Sequence, residues 1–270
     1  MSDPIRASGP TEGEDAPLWP LWYAPAALFG GLATAFLFAG VIVGVLRLRS
    51  GGPAETDVAT FVVDASVVGA TILVASMSGR PKPWNFGLRR APLGSAAGTA
   101  FVGMLVFDAF AVVYTGIVHP AHPQKVVQSV GADKGTAALI AGAILIIGVA
   151  PVAEEFFFRG FLFRILRLRM SLGAAAVIDG VIFGAVHYED PGSAALLPVL
   201  MFLGFLFCIV YEQTGTLFAT IAMHAFNNMV SYAATADHGV APSLAVGFTV
   251  IAACAAVPRL LPARRAPAHV

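Results

Sequence analysis

The chain has 270 residues, of which 57% are hydrophobic and 12% are charged, and its formal net charge is zero. Soluble domains are about half apolar and about a quarter charged, so this composition excludes an ordinary soluble protein and indicates a polytopic membrane protein. Nothing in the charge balance suggests binding to nucleic acid. The two cysteines, Cys208 and Cys254, lie in apolar runs, so we expect neither a disulfide framework nor a cysteine metal site.

The first twenty residues are polar, with several acidic residues and prolines. They lack the basic stretch and short apolar core of a cleaved signal. We therefore predict that residues 1–20 form a disordered cytoplasmic tail.

Apolar stretches long enough to cross a bilayer, about 20 residues each, follow this tail. The predicted spans are residues 22–46, 58–77, 93–117, 135–155, 172–188, 194–211, 215–234 and 240–258. The fourth is expected to continue as a helix to about Arg169. The sequence thus predicts an all-α fold, a polytopic transmembrane helical bundle of about eight spans.

Basic residues are unequally divided between the two sides of such a bundle. Eleven lysines and arginines fall on one side and four on the other. The eleven are Arg6, Arg80, Lys82, Arg89, Arg90, Arg164, Arg167, Arg169, Arg259, Arg264 and Arg265. The positive-inside rule then predicts a multi-pass protein of the cell membrane with both termini in the cytoplasm.

Ionisable side chains inside the fourth span need an explanation, because a charge at a helix centre costs about 2.5–3.5 kcal/mol. Glu155 and Arg159 are four residues apart in "EEFFFR", so they share a helix face and can pair. Glu154 shares its face with Phe158 and has no basic residue three or four positions away. The alternative is an interfacial helix whose charges reach water.

Two later spans carry polar residues at the same spacing. Phe183 and His187 stand in "FGAVH", and His224 and Asn228 stand in "HAFNN". An interfacial histidine wetted by headgroups, and a hydrogen-bonding pair that only holds the bundle together, are the alternatives. Counted along antiparallel helices, Glu154 and His187 lie about 22–25 Å above the same basic loop, so they can meet.

Small residues at helix-packing spacing and three further acids complete the pattern. Gly40–Gly44 and Gly180–Gly184 are G-x-x-x-G pairs, which let helices approach closely. We expect the second pair to bring the fourth and fifth spans together. For Asp64, Asp108 and Asp179, structural hydrogen bonding is the favoured expectation.

The ordered set E-E-x-x-x-R, F-x-x-x-H and H-x-x-x-N on successive helices resembles the CPBP family. This family contains the type II CAAX prenyl proteases and related bacteriocin-processing and abortive-infection proteins. The resemblance covers roughly residues 135–234, which would form a CAAX-protease-like catalytic core. Residues 21–134 would then be N-terminal transmembrane helices, and 235–270 the last transmembrane helix with a basic cytoplasmic tail.

The resemblance implies an intramembrane endopeptidase acting on a membrane-associated protein or peptide in the lipid bilayer. Glu154 would be the general base that activates a water molecule. Glu155, held by Arg159, would orient the base or stabilise the site, and His187 would help to position the water.

By the same resemblance, His224 and Asn228 would donate hydrogen bonds to the oxyanion. A zinc-dependent version stays open, with Glu154, His187 and His224 as ligands, although the H-E-x-x-H signature is absent. The expected cofactor is therefore either none or zinc. A transporter that uses the same charges as a relay, and a non-catalytic immunity protein on the same fold, are the remaining alternatives.

Overall fold

The computed structural model describes residues 18–49, 51–120, 135–188, 190–235 and 239–261. The predicted N-terminal tail lies almost wholly outside these residues. Several basic residues used to predict the topology also lie outside them, namely Arg6, Lys125, Lys134, Arg264 and Arg265.

Eight long helices and no strands are found in the described part of the chain. They are α1 (Tyr23–Leu46), α2 (Pro53–Ser76), α3 (Leu93–Val118), α4 (Thr136–Arg167), α5 (Leu172–Val186), α6 (Leu197–Thr214), α7 (Leu217–Ala234) and α8 (Ala241–Ala256). The predicted all-α bundle is confirmed. The largest difference is at α2, which begins earlier than predicted because Pro53 occupies its first position, where proline is well tolerated.

Six helical segments of the described residues are long and apolar enough to cross a membrane, which supports a multi-pass membrane protein. The two other helices are α5, with only 15 residues, and α7. Helix α7 is less apolar because it carries the polar side chains of His224, Asn227 and Asn228. These two helices carry the histidine motifs of the sequence.

Helix α4 is the centre of the bundle. It contacts α2, α5, α6, α7 and α8, whereas α1 packs mainly on α2, and α3 packs on α6 and α7. Consecutive helices pair as antiparallel hairpins in α1–α2, α5–α6 and α7–α8. Large apolar side chains such as Phe36 and Leu37 remain exposed on α1, as expected of a surface that faces lipid.

Two π-helical segments interrupt α4, at Ile144–Val149 and Phe158–Phe163. They flank the α-helical turns Ala150–Phe157, which carry both glutamates. The first precedes Pro151, which has no N–H to donate to the preceding turn. Widened π turns change the direction in which the following side chains point and often occur at functional sites. The sequence did not predict them.

Glycines allow α5 and α6 to pack at close range. A Cβ atom at Gly180 would lie 2.6 Å from the Met201 carbonyl oxygen, and Gly204 of α6 faces Gly180 from the other side. The expectation that Gly180 and Gly184 bring α5 towards α4 is therefore wrong, because they face α6. A Cβ atom at Gly40 or Gly44 would meet nothing within 4 Å, so the first G-x-x-x-G pair makes no close contact with another described helix.

The loops predicted to lie on the basic side do meet at one end of the bundle. Arg169 donates to the Trp19 carbonyl oxygen at 2.8 Å, and Arg89 donates to that of Gly215 at 2.6 Å. Arg90 also donates to backbone carbonyls just beyond α8. Which side of the membrane this end faces stays a prediction.

Candidate active site

The three groups singled out from separate spans converge at Glu154. Its Oε2 atom lies 3.7 Å from Nε2 of His187 and 3.9 Å from Nε2 of His224. The Glu154 side chain is 23% exposed, yet Oε2 itself is buried and has no hydrogen-bond partner among the described residues. A carboxylate oxygen thus faces two imidazole nitrogens from two other helices.

Hydrogen bonds on the far side of each ring orient the histidines. His187 directly follows the last turn of α5, and its Nδ1 lies 2.7 Å from the Phe183 carbonyl oxygen. His224 Nδ1 lies 3.1 Å from Oε1 of Glu155. A carbonyl or an ionised carboxylate only accepts, so Nδ1 carries the hydrogen in both rings. In the neutral rings, the Nε2 lone pairs therefore face Glu154.

Glu155 belongs to a fully buried charge cluster behind the histidines. Arg159 donates to its Oε1 at 2.8 Å and to the Gly204 carbonyl oxygen at 2.9 Å. Asp179 lies 3.6 Å from the same guanidinium and accepts from the Cys208 thiol at 3.2 Å. The i, i+4 pair predicted from the sequence is confirmed, as is structural hydrogen bonding by Asp179. The contact of Glu155 with His224 was not predicted.

Aromatic rings enclose this cluster. The Arg159 guanidinium lies 4.6 Å from the ring centroid of Phe183 and 4.8 Å from that of Phe207. The His224 ring stacks on Phe207 with 4.9 Å between centroids. Cation–π contacts lower the cost of burying the guanidinium, and the close packing leaves His224 little freedom to rotate.

Asn228 also lines the site, where a hydrogen bond from Asn227 helps to fix its side chain. Its Nδ2 donates to the Ile146 carbonyl oxygen at 2.9 Å, within the first π segment, and its Oδ1 accepts from Asn227 Nδ2 at 3.2 Å. One amide hydrogen of Asn228 is left for another acceptor. Sequence reasoning missed Asn227, although a second amide directly beside a motif residue is a usable signal.

These side chains line a cavity of about 760 Å³ between α1, α2, α4, α5, α6 and α7. Its polar lining consists of Thr60, Asp64, Glu154, His187, Asp190, His224, Asn227, Asn228 and Ser231. No lysine or arginine of the described chain contributes to it. Asp64 was expected to make structural hydrogen bonds, but its buried Oδ2 has no partner among the described residues.

The donor chemistry of Glu154, His187 and His224 suits zinc, and their atoms lie a few tenths of an ångström further apart than a bound ion would hold them. Tetrahedral zinc with bonds of about 2.0–2.1 Å would hold its ligand atoms about 3.3 Å apart, and two separations here are 3.7 and 3.9 Å. In the part of the chain that the structure describes, no three His, Cys, Asp or Glu side chains are grouped for a metal ion.

The fold and site together define a helical membrane protein with a carboxylate–imidazole centre inside the bundle. In a comparison with known protein families, the family described as "Type II CAAX prenyl endopeptidase Rce1-like" matches residues 136–230. This match confirms, for that segment, the family predicted from the motifs.

A curated relative matches about a third of the chain without adding a function. The "Uncharacterized protein YyaK" of Bacillus subtilis (strain 168) is 33% identical over 96 residues, which is 34% of this chain. The match spans only 32% of the length of that relative. No solved structure matches the chain significantly.

Proposed function

We propose that this protein is an intramembrane endopeptidase that hydrolyses a peptide bond of a membrane-associated protein or peptide with a water molecule activated by Glu154. The observation that carries the proposal is the unpartnered Glu154 Oε2 facing two histidine Nε2 atoms in a cavity of a helical bundle. The family match, which names an endopeptidase, supports it.

In the first step, the water oxygen attacks the carbonyl carbon of the peptide while Glu154 takes one proton from the water. His187 lies beside the attacked position and accepts the second water hydrogen at Nε2, which orients the water. When the tetrahedral intermediate collapses, the C–N bond breaks and Glu154 returns its proton to the departing nitrogen. The products are a carboxylic acid and an amine, and no covalent enzyme intermediate forms.

The negative charge on the intermediate oxygen requires donors. The free amide hydrogen of Asn228 is one such donor. Nε2 of His224 would be a second donor in the imidazolium form of that ring, in which the Glu155 carboxylate accepts the hydrogen of Nδ1. Donors fixed in advance in a site of low polarity are most effective at stabilising an oxyanion. Arg159 contributes by holding Glu155 in place.

A zinc-dependent version of the same protease is the second candidate. It is favoured by the acceptor atoms, since a carboxylate oxygen within 3.7 and 3.9 Å of two imidazole nitrogens suits a cation. Glu154, His187 and His224 would hold the ion, and bound zinc would supply a water that ionises near neutral pH. Shifts of a few tenths of an ångström would bring the ligand atoms to the required spacing.

Hydrolysis is tested with the purified protein in lipid nanodiscs and a library of apolar peptides, with products identified by mass spectrometry. Cleavage in H₂¹⁸O is expected to place one ¹⁸O atom in each new carboxyl terminus. Glu154→Gln should lower the rate by at least about 100-fold, because general base catalysis contributes about 10²–10⁴-fold.

Glu212→Gln is the matched control, since Glu212 pairs with Arg167 outside the cavity and its loss should leave the rate unchanged. Full activity of Glu154→Gln would overturn the assignment of the base. Ion flux through the reconstituted protein without peptide cleavage would instead favour a transporter.

Metal analysis of the same preparations separates the two candidates. The zinc version requires about one zinc per chain, lost in His187→Ala and His224→Ala, and inhibition by a chelator that added zinc reverses. Cleavage by metal-free protein that chelators leave unchanged would support the glutamate mechanism.

A further inference from the structure

Asp64 is a buried carboxyl group without a partner in the wall of the cavity. Only 8% of the residue is exposed, and its Oδ2 accepts no hydrogen bond from the described residues. A buried ionisable group is costly unless it is paired, and at membrane depth such groups usually mark a substrate or ion pathway.

Asp64 stands at about the same height in the bundle as the proposed base. It lies twelve residues before the end of α2, and Glu154 lies thirteen residues before the end of α4. At 1.5 Å per residue, both are about 18–20 Å from the basic end of the bundle. Both line the same cavity, and α2 packs directly on α4.

The charge of this cavity is unbalanced. Among the described residues, three carboxyl groups line it, those of Asp64, Glu154 and Asp190, and no lysine or arginine does. Asp190 is engaged by the backbone N–H groups of Gly192 and Ser193 in its own loop. Asp64 is therefore the carboxyl outside the proposed reaction centre that is free to bind a cation.

An apolar groove meets the cavity at Asp64. It has a volume of about 640 Å³ between α2, α4 and α8, and Asp64 and Ala153 line both spaces. Asp64 is the one charged residue among its described lining residues, and the remainder is almost entirely aliphatic. A cation with an apolar stem fits this junction, because the stem lies against aliphatic side chains while the charge reaches the carboxylate.

We propose that Asp64 is a specificity-determining residue that binds the positively charged side chain of a lysine or arginine next to the scissile bond of the substrate. This inference rests on the proposed endopeptidase function and names a property of its substrate. A bare metal cation fits less well, since Asp64 is a single carboxylate among apolar residues, whereas hard cations take six or more oxygen ligands.

The test uses pairs of apolar peptides in which one arginine occupies successive positions and citrulline replaces it in the partner peptide. Citrulline keeps the shape of the arginine side chain and removes its positive charge. The wild-type protein is expected to cut at a constant distance from the arginine. Its kcat/KM should be lower by about 30-fold or more for the citrulline peptides, because removing one partner of a buried charge pair has an effect of this size. Asp64→Asn should remove the difference in kcat/KM between the two peptides, whereas Asp64→Glu, which keeps the charge, should retain part of it.

Asp108→Asn is the matched control, because it is the same change in a membrane-spanning helix, α3, at an exposed residue that does not line the cavity. It should leave the preference for arginine intact. Equal cleavage of both peptides by the wild type would overturn the inference while leaving the endopeptidase proposal standing. An arginine preference that persists in Asp64→Asn would also overturn the role of Asp64.

Binding supplies a readout that does not depend on catalysis. Fluorescence anisotropy of labelled arginine and citrulline peptides is measured with Glu154→Gln and with the Glu154→Gln, Asp64→Asn double variant. We expect at least about tenfold tighter binding of the arginine peptide, lost in the double variant. Such binding without cleavage by the wild type would refute the endopeptidase and support the cation site, whereas no discrimination in either assay would refute the cation site.

Discussion

Replacing each of the two adjacent glutamates of α4 should have a different effect. Loss of Glu155 should lower the stability of the protein, whereas loss of Glu154 should abolish peptide cleavage and leave the stability nearly unchanged. Glu155 is fully buried, and its Oε1 lies 2.8 Å from Arg159 and 3.1 Å from His224. Among the described residues, Glu155→Ala would leave the guanidinium with only Asp179, at 3.6 Å, as a charged partner. Breaking a buried ion pair costs about 3–5 kcal/mol. Glu154→Ala removes a partly exposed side chain whose Oε2 accepts no hydrogen bond from the described residues, so we expect a loss below about 1 kcal/mol.

Thermal unfolding of purified variants in one detergent, followed by tryptophan fluorescence, measures this difference. At about 2–4 °C per kcal/mol, Glu155→Ala should unfold about 6–20 °C below wild type, whereas Glu154→Ala should unfold near it while losing peptide cleavage. Glu212→Ala is the control for a partly exposed pair with Arg167, which contributes about 0–1 kcal/mol. Equal unfolding temperatures for the Glu154 and Glu155 variants would refute the assignment of separate roles.

Further predictions concern packing and the cavity. Gly180→Val should destabilise the protein by about 1–3 kcal/mol, since its Cβ would strike the α6 backbone; Gly40→Val, which meets nothing, should change the unfolding temperature little. His187→Ala should lower kcat by about 100-fold through misplaced water with unchanged unfolding, and a simultaneous fall in stability would argue for a structural histidine. Asn227→Ala should lower kcat about tenfold with little change in KM, a smaller loss than that from removing Asn228, the proposed oxyanion donor; an unaltered kcat would contradict a positioning role for Asn227.

The helices and the pairs within them could be predicted because their causes are local. Apolar stretches mark the helices, six of which are long and apolar enough to cross a membrane. The 3.6-residue repeat brings Glu155 onto the face of Arg159 in any regular helix. The confirmed bundle and the confirmed ion pair both rest on such local rules. The fifth span was predicted to end at residue 188, within two residues of the observed end of α5 at Val186.

Contacts between helices could not be predicted in this way, because they depend on how each helix is rotated against its neighbours. The sequence placed Glu155 with Arg159 but did not reveal that His224 would share its carboxylate. It also assigned Gly180 to the wrong partner helix, since a glycine permits close approach without specifying which helix approaches.

The amino-acid sequence by itself thus determined a membrane bundle, the order of its helices and the residue types of the candidate site, because hydropathy and helical periodicity act along the chain. Tertiary structure alone decided that Glu154 Oε2 faces two imidazoles and that Asp64 opens onto the same cavity. The π turns of α4 and the glycine contact of α5 with α6 help to set how these helices are rotated and how closely they pack, and that rotation brings residues far apart in the chain to within 4 Å of one another.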